Sequence, residues 1–220
     1  MGSINSNHSW AAKRIHLLKK PDKKIVERRN LLAQLFVVLL LGVAYQEMIS
    51  PIKSVIRVEG FSTEAVVFFG VFFLTSLRFF IGAQLHLVNE SLLKMRSGVW
   101  FFDFMIIIFE MVIFIFLGGV ASFDAGRLAG IDFFELLMTV YIVDIFWVIL
   151  QVALGKIFSS WKRSFIPLKW ALINLGALLS TALLYCSSAV YSGAGMIIFG
   201  AVNAIAFIID IFFIDYFKII

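Results

Sequence analysis

The chain predicts an all-α integral membrane protein, a polytopic bundle of six transmembrane helices with both termini in the cytoplasm. Three observations predict this. Hydrophobic residues make up 61% of the chain and charged residues 15%, whereas soluble domains average about 25% charged residues. Six apolar stretches are each long enough to cross a bilayer core, which takes about 20 helical residues. Basic residues concentrate in alternate connections between these stretches.

The apolar stretches follow one another closely along the chain. Short joints with turn or cap residues separate them, among them Ser50-Pro51, Ile166-Pro167 and Ser192-Gly193. Because no joint is long enough for a separate soluble domain, we expect two regions, a basic N-terminal segment (1–30) and a transmembrane domain (31–220). The predicted spans are Leu31–Ile49, Ala65–Leu87, Val99–Val120, Phe133–Leu154, Pro167–Val190 and Ala194–Phe217.

The distribution of Lys and Arg predicts the orientation. Fifteen of these residues lie in or next to the N-terminal segment, the second and fourth connections and the C-terminal tail, and only three lie in the other connections. Basic residues are retained on the cytoplasmic side of a membrane, so the sequence predicts cytoplasmic termini and a bacterial inner (plasma) membrane location. Trp100, Trp161 and Trp170 fall near the predicted inner interface, where tryptophan is enriched.

The N-terminal segment is strongly basic and has three interpretations. It can be a membrane-surface helix attracted to anionic lipid. It can be a regulatory surface for an anionic partner such as a nucleotide or single-stranded DNA. It can also be charge that sets topology and does nothing else. Its basic residues are Lys13, Arg14, Lys19, Lys20, Lys23, Lys24, Arg28 and Arg29.

Away from their ends, the predicted spans contain one basic residue, Arg78, and four acidic residues, Asp103, Glu110, Asp144 and Asp210. A charged side chain at the bilayer centre costs roughly 2.5–3.5 kcal/mol on insertion scales, so these groups must face the bundle, a partner subunit or water. We expect Arg78 to form a structural ion pair with Asp103, Glu110 or Asp144.

Polar residues recur at a spacing of seven within several spans, which places each pair on one helix face. The pairs are Asp103 with Glu110, Asp144 with Gln151, and Asn203 with Asp210. On the fifth span Asn174, Thr181 and Ser188 follow the same spacing. Because acids outnumber bases, these faces favour a cation pathway. The pore or ion-pathway candidates are Asp103, Glu110, Asp144, Gln151, Asn203 and Asp210.

Enzyme signatures are absent from the sequence. We find no P-loop, dinucleotide-binding glycine pattern, HExxH or GxSxG. The single cysteine, Cys186, excludes a multi-cysteine metal site. The sequence therefore predicts no catalytic residue, no metal and no cofactor, and a protein that is not an enzyme.

Two kinds of transport protein fit these features. The first is an oligomeric ion channel or pore, in which several copies line a shared path with their polar faces. Too few helices are available to bury those faces within one chain, so a homo-oligomer is expected, with the tetramer as leading guess. The second is a compact ion- or proton-coupled secondary transporter that uses the intramembrane carboxylates. A non-transporting anchor or sensor subunit is the third alternative.

The general plan of the whole chain, a short multi-span body preceded by the basic segment Lys13 to Arg29, resembles small bacterial inner-membrane effectors of anti-phage defence. An example is the membrane component of the Hailong system, whose activity is held in check by single-stranded DNA oligomers. The resemblance implies a toxic, normally closed, homo-oligomeric channel that is controlled from the cytoplasmic side. It carries over no functional residue.

Overall fold

Six long helices make up nearly all of the structure. The computed structural model describes residues 23–58, 63–88, 97–121, 127–128, 131–157 and 166–213. Every one of the six helices contains a segment that is long and apolar enough to cross a membrane, in agreement with the predicted helical fold. The helices are α1 (Lys23–Val58), α2 (Thr63–Val88), α3 (Ser97–Ala121), α4 (Phe133–Ile157), α5 (Ile166–Cys186) and α6 (Gly193–Phe213).

Two boundaries differ from the prediction. A joint was expected at Ser50-Pro51, but α1 continues to Val58, because the one backbone hydrogen bond that Pro51 removes does not end the helix. The fifth span was expected to reach Val190, but α5 ends at Cys186. Ser188 adopts a left-handed conformation with φ 57°, which breaks the helix and starts the 3-10 turn Ala189–Tyr191.

A small β-ribbon precedes α4. Strand β1 (Arg127–Leu128) pairs antiparallel with strand β2 (Ile131–Asp132). Asp132 then caps α4, since its Oδ1 accepts a hydrogen bond of 2.9 Å from the backbone N–H of Phe134. The Oε2 atom of Glu135 in turn accepts a hydrogen bond of 3.3 Å from the backbone N–H of Asp132. This reciprocal pattern is a capping box, and it fixes where α4 begins.

Five helices close into a ring. Helices α2, α3, α4, α5 and α6 each pack against the next in chain order, and α6 packs against α2. Helix α1 packs on α3 and α2 without joining the ring. At Gly118 of α3 a Cβ atom would come within 2.5 Å of the carbonyl oxygen of Ala44 in α1, so the two helices approach closely there. The ring gives a single chain an interior of its own.

Aromatic side chains fill the end of the ring at which α2, α4 and α6 begin. Phe68, Phe133, Phe134 and Phe199 are almost completely buried. Their ring centroids lie 4.7 to 6.3 Å apart in the contacting pairs, which is the usual range for aromatic packing. Large apolar side chains such as Leu39, Phe146 and Phe212 face outwards, as expected of surfaces in contact with lipid.

Candidate functional site: a charged and polar core

The centre of the ring holds a buried ion pair. The Nε atom of Arg78, on α2, donates a hydrogen bond to the Oδ2 atom of Asp210, on α6. The two side chains are only 2% and 1% exposed. The expectation that Arg78 pairs with an acid of another helix is thus confirmed. The acid in this direct contact is Asp210, which was not among the three expected partners; α6 packs beside α2 and brings it to the guanidinium.

Two aromatic rings complete the surroundings of the arginine. The guanidinium carbon of Arg78 lies 4.7 Å from the ring centroid of Trp170 and 5.6 Å from that of Phe79. Both distances lie within the range of cation–π attraction. Gly82, one turn from Arg78 on α2, makes room for the indole, since a Cβ atom there would lie 2.9 Å from Trp170. The carboxylate of Asp210 and two aromatic faces therefore stabilise the charge of Arg78.

A second carboxylate, Asp144 of α4, lies in the same core. Its Oδ2 atom accepts hydrogen bonds from Trp170 Nε1 and from Asn174 Nδ2, both on α5. Asp144 also interacts electrostatically with Arg78, and it is only 2% exposed. Trp170 and Asn174 are four residues apart and share a face of α5, so one helix supplies both donors. The sequence places Trp170 near the inner membrane interface, and in the structure its N–H donates to a buried acceptor.

A neutral hydrogen-bonded group extends the core along the ring. The hydroxyl of Tyr141, on α4, donates to Asn203 Oδ1, on α6, and also has a hydrogen bond with Thr75 of α2. Asn203 Nδ2 donates to the backbone carbonyl of Phe199 at 2.9 Å. On α5 the hydroxyl of Thr181 is buried and has no hydrogen-bond partner among the described residues. Polar groups of four helices therefore meet inside the ring.

We name this set the core cluster. It consists of Thr75, Arg78, Tyr141, Asp144, Trp170, Asn174, Asn203 and Asp210. Three of the predicted pathway residues belong to it, namely Asp144, Asn203 and Asp210. Glu110 is likewise buried, on α3. Asp103 and Gln151 are helical, but their side chains lie outside the part that the structure describes.

Sequence reasoning did not assign three members of the cluster, Thr75, Tyr141 and Trp170, to the polar set. The signal was present, because Tyr141 stands three residues before Asp144 and Thr75 three residues before Arg78, spacings that share a helix face. The homo-oligomer stays a prediction, but three of the polar residues on which it was based give it no support. The side chains of Asp144, Asn203 and Asp210 are at most 2% exposed within a single chain, so no second copy is needed to bury them.

The basic N-terminal segment is described only from residue 23. Lys24 and Arg28 are exposed on α1, whereas Arg29 is partly buried and its guanidinium carbon lies 4.0 Å from the ring centroid of Trp100. The side chain of Lys23 lies outside the described residues, as do Lys13, Arg14, Lys19 and Lys20.

Comparison of the chain with protein-family models, with curated proteins and with solved structures finds no match. The functional argument therefore rests on the chemistry of the core cluster.

Proposed function

We propose that the protein is a small cation- or proton-coupled membrane transporter in which Asp144 binds the coupling cation. The observation that carries this is the position of Asp144. It is a carboxylate buried inside one chain, within reach of an arginine that Asp210 already engages. Ionisable groups at such depth mark ion pathways and proton relays in membrane proteins.

Charge in the described cluster favours a cation. The core cluster contains two carboxylates and one guanidinium, so a bound proton or monovalent cation brings its net charge to zero. Asp210 is bonded directly to Arg78, whereas Asp144 accepts hydrogen bonds from the neutral donors Trp170 and Asn174. Neutral donors fix the orientation of a carboxylate without supplying a counter-charge. Asp144 is therefore the group that exchanges its cation.

The position of the polar side chains inside the ring favours an ion pathway within each protomer. The polar side chains converge on the interior of α2–α6, whereas the outward surfaces are apolar. A channel formed along the axis of an oligomer needs polar groups on an outward face, and the described residues supply few. The homo-oligomeric, normally closed defence channel implied by the resemblance is the competing proposal. The bacterial inner membrane, with cytoplasmic termini, is proposed as the location from the distribution of Lys and Arg.

The test is ion exchange in liposomes. The purified full chain is reconstituted into vesicles with an acidic lumen that contains a pH-sensitive dye, and Na⁺, K⁺ or Li⁺ is added outside. We expect at least one cation to release lumenal protons in the wild-type vesicles, and Asp144→Asn to abolish the release. The matched control is Glu64→Gln, an exposed acid in the first turn of α2, which should exchange normally.

Two results would contradict the proposal. The first is Asp144→Asn exchanging cations at the wild-type rate. The second is a voltage-driven current that carries no coupled protons and is unchanged by Asp144→Asn, which is the behaviour of the competing channel.

A further inference from the structure

A second group of polar side chains lies away from the core cluster, where α1, α2 and α3 meet. Asn30 of α1 donates a hydrogen bond of 2.8 Å from Nδ2 to the carbonyl oxygen of Leu87, near the C-terminal end of α2. Trp100 lies in the first turn of α3. The contact therefore joins the ends of two spans that the distribution of Lys and Arg places at the cytoplasmic surface.

Arg29 and Trp100 form the centre of this group. The guanidinium lies over the indole at 4.0 Å. The indole in turn stacks on Phe104, with ring centroids 5.2 Å apart and planes 12° from parallel. Phe104 belongs to the same helix face as Trp100, four residues on. Both the cation and the indole edge are thereby held in place before any ligand arrives.

The two side chains present donors without acceptors. Nε and Nη2 of Arg29 and Nε1 of Trp100 are buried and have no hydrogen-bond partner among the described residues. The Trp100 side chain is more than nine-tenths buried. Leaving a buried donor unpaired costs about 1–3 kcal/mol, more for a charged group. An acceptor with several oxygens would satisfy these donors together.

The local field also favours an anion. The first backbone N–H groups of α3, from Ser97 onwards, have no acceptor within the helix, and the N-terminal end of a helix carries partial positive charge. Lys24 and Arg28 are exposed on the same end of α1. Glu27, two residues before Arg29, lies on a different face of the helix, because two residues span about 200°.

We propose that Arg29 and Trp100 form a binding site for a phosphate group at the cytoplasmic surface of the bundle. The guanidinium binds two phosphate oxygens, and the indole N–H donates to one of them. The group can be supplied by the headgroup of an anionic phospholipid or by free phosphate. The site is independent of ion exchange at Asp144.

The experiment is a native mass measurement on the delipidated full chain, titrated with phosphatidylglycerol. We expect one phosphatidylglycerol to be retained selectively, and Arg29→Gln and Trp100→Phe each to weaken its binding about tenfold, as loss of a charge-assisted hydrogen bond implies. The control is Arg28→Gln, an exposed neighbour that lacks the indole contact. It should change binding less than about twofold, since exposed charges contribute little.

Inorganic phosphate distinguishes the two sources. If it displaces phosphatidylglycerol from the wild-type chain, and binds more weakly to Arg29→Gln, the site takes free phosphate. If it does not compete, the site takes the lipid headgroup. If Arg28→Gln and Arg29→Gln weaken phosphatidylglycerol binding equally, the binding depends only on surface charge and the proposal is overturned. Trp100→Phe keeps an aromatic ring, so unchanged binding in a folded Trp100→Phe protein would overturn it even if Arg29→Gln does not fold.

Discussion

Removing the charge of Arg78 should destabilise the protein more than removing the charge of its partner. In Arg78→Gln, Asp210 loses its ion pair and Asp144 loses a nearby positive charge, so two buried carboxylates remain without a cation. Breaking a buried pair by removing one member costs about 3–5 kcal/mol. The cation–π contact with Trp170 adds about 0.5–2 kcal/mol.

Removing the charge of Asp210 should destabilise the protein less, because the charge of Arg78 keeps other favourable contacts. In Asp210→Asn the guanidinium keeps its electrostatic interaction with Asp144 and its contact with Trp170, and the new amide oxygen can still accept from Nε. We therefore expect a loss of about 1.5–3 kcal/mol, the contribution of a hydrogen bond to a charged group. The double variant Arg78→Gln/Asp210→Asn should be less destabilised than the sum of the two single variants, by about 0.5–3 kcal/mol.

The assay is reversible unfolding in mixed micelles, with the free energy of unfolding measured from tryptophan fluorescence at increasing denaturing detergent. Glu64→Gln, which removes an exposed acid, is the control for a general effect of charge. Strict additivity of the two single variants, or a loss below about 1 kcal/mol in Arg78→Gln, would show that the pair is not coupled and would refute the reasoning.

Two further predictions concern packing and capping, and both are read out by the same unfolding measurement. Gly118→Ala should destabilise the α1–α3 contact by about 1–3 kcal/mol, since its Cβ would meet the carbonyl of Ala44 at 2.5 Å. The control is Gly119→Ala, whose Cβ meets nothing within 4 Å and which should be neutral or slightly stabilising. Equal effects of the two substitutions would contradict the close approach of α1 and α3 at Gly118. Asp132→Ala should lower the free energy of unfolding by about 1 kcal/mol through loss of the cap on α4. The loss should be somewhat larger because Asp132 also accepts a hydrogen bond of 3.0 Å from the Tyr191 hydroxyl. An unchanged free energy of unfolding would exclude a capping role.

The helical fold could be predicted because a bilayer sets the length and polarity of what crosses it. Apolar stretches of about 20 residues identify the spans without any knowledge of their packing. Helix ends were less predictable, because they depend on single backbone conformations such as that of Ser188. Pro51 is a common helix breaker, yet α1 continues through it. Composition therefore predicted where the long apolar helices lie, and local geometry decided where they end.

The candidate site was predictable only in part. A spacing of seven correctly groups Asn203 with Asp210 on one face of a helix. It cannot say which helix that face meets, so the partner of Arg78 was sought on α3 and α4, the next two spans along the chain. The true partner is 132 residues away. The hydrogen bond from Trp170 to Asp144 could not be predicted, because nothing in a single sequence indicates that an indole N–H has a buried acceptor.

The packing of α2 against α6 shows which interactions determine the neighbours of a helix in such a bundle. Apolar helices gain nothing from hydrophobic burial against one another in lipid, so close packing and polar contacts decide which helices meet. Helix α6 offers both to α2. Gly200 lets the backbone approach, since a Cβ atom there would lie 3.3 Å from Val67, and Asp210 lies ten residues further on, where it meets Arg78. Arg78 is the one basic residue away from the ends of the predicted spans, so an arrangement that separated α6 from α2 would leave Asp210 without this direct ion pair. The ion pair at the centre of the core cluster therefore also stabilises the contact between α2 and α6 that closes the ring.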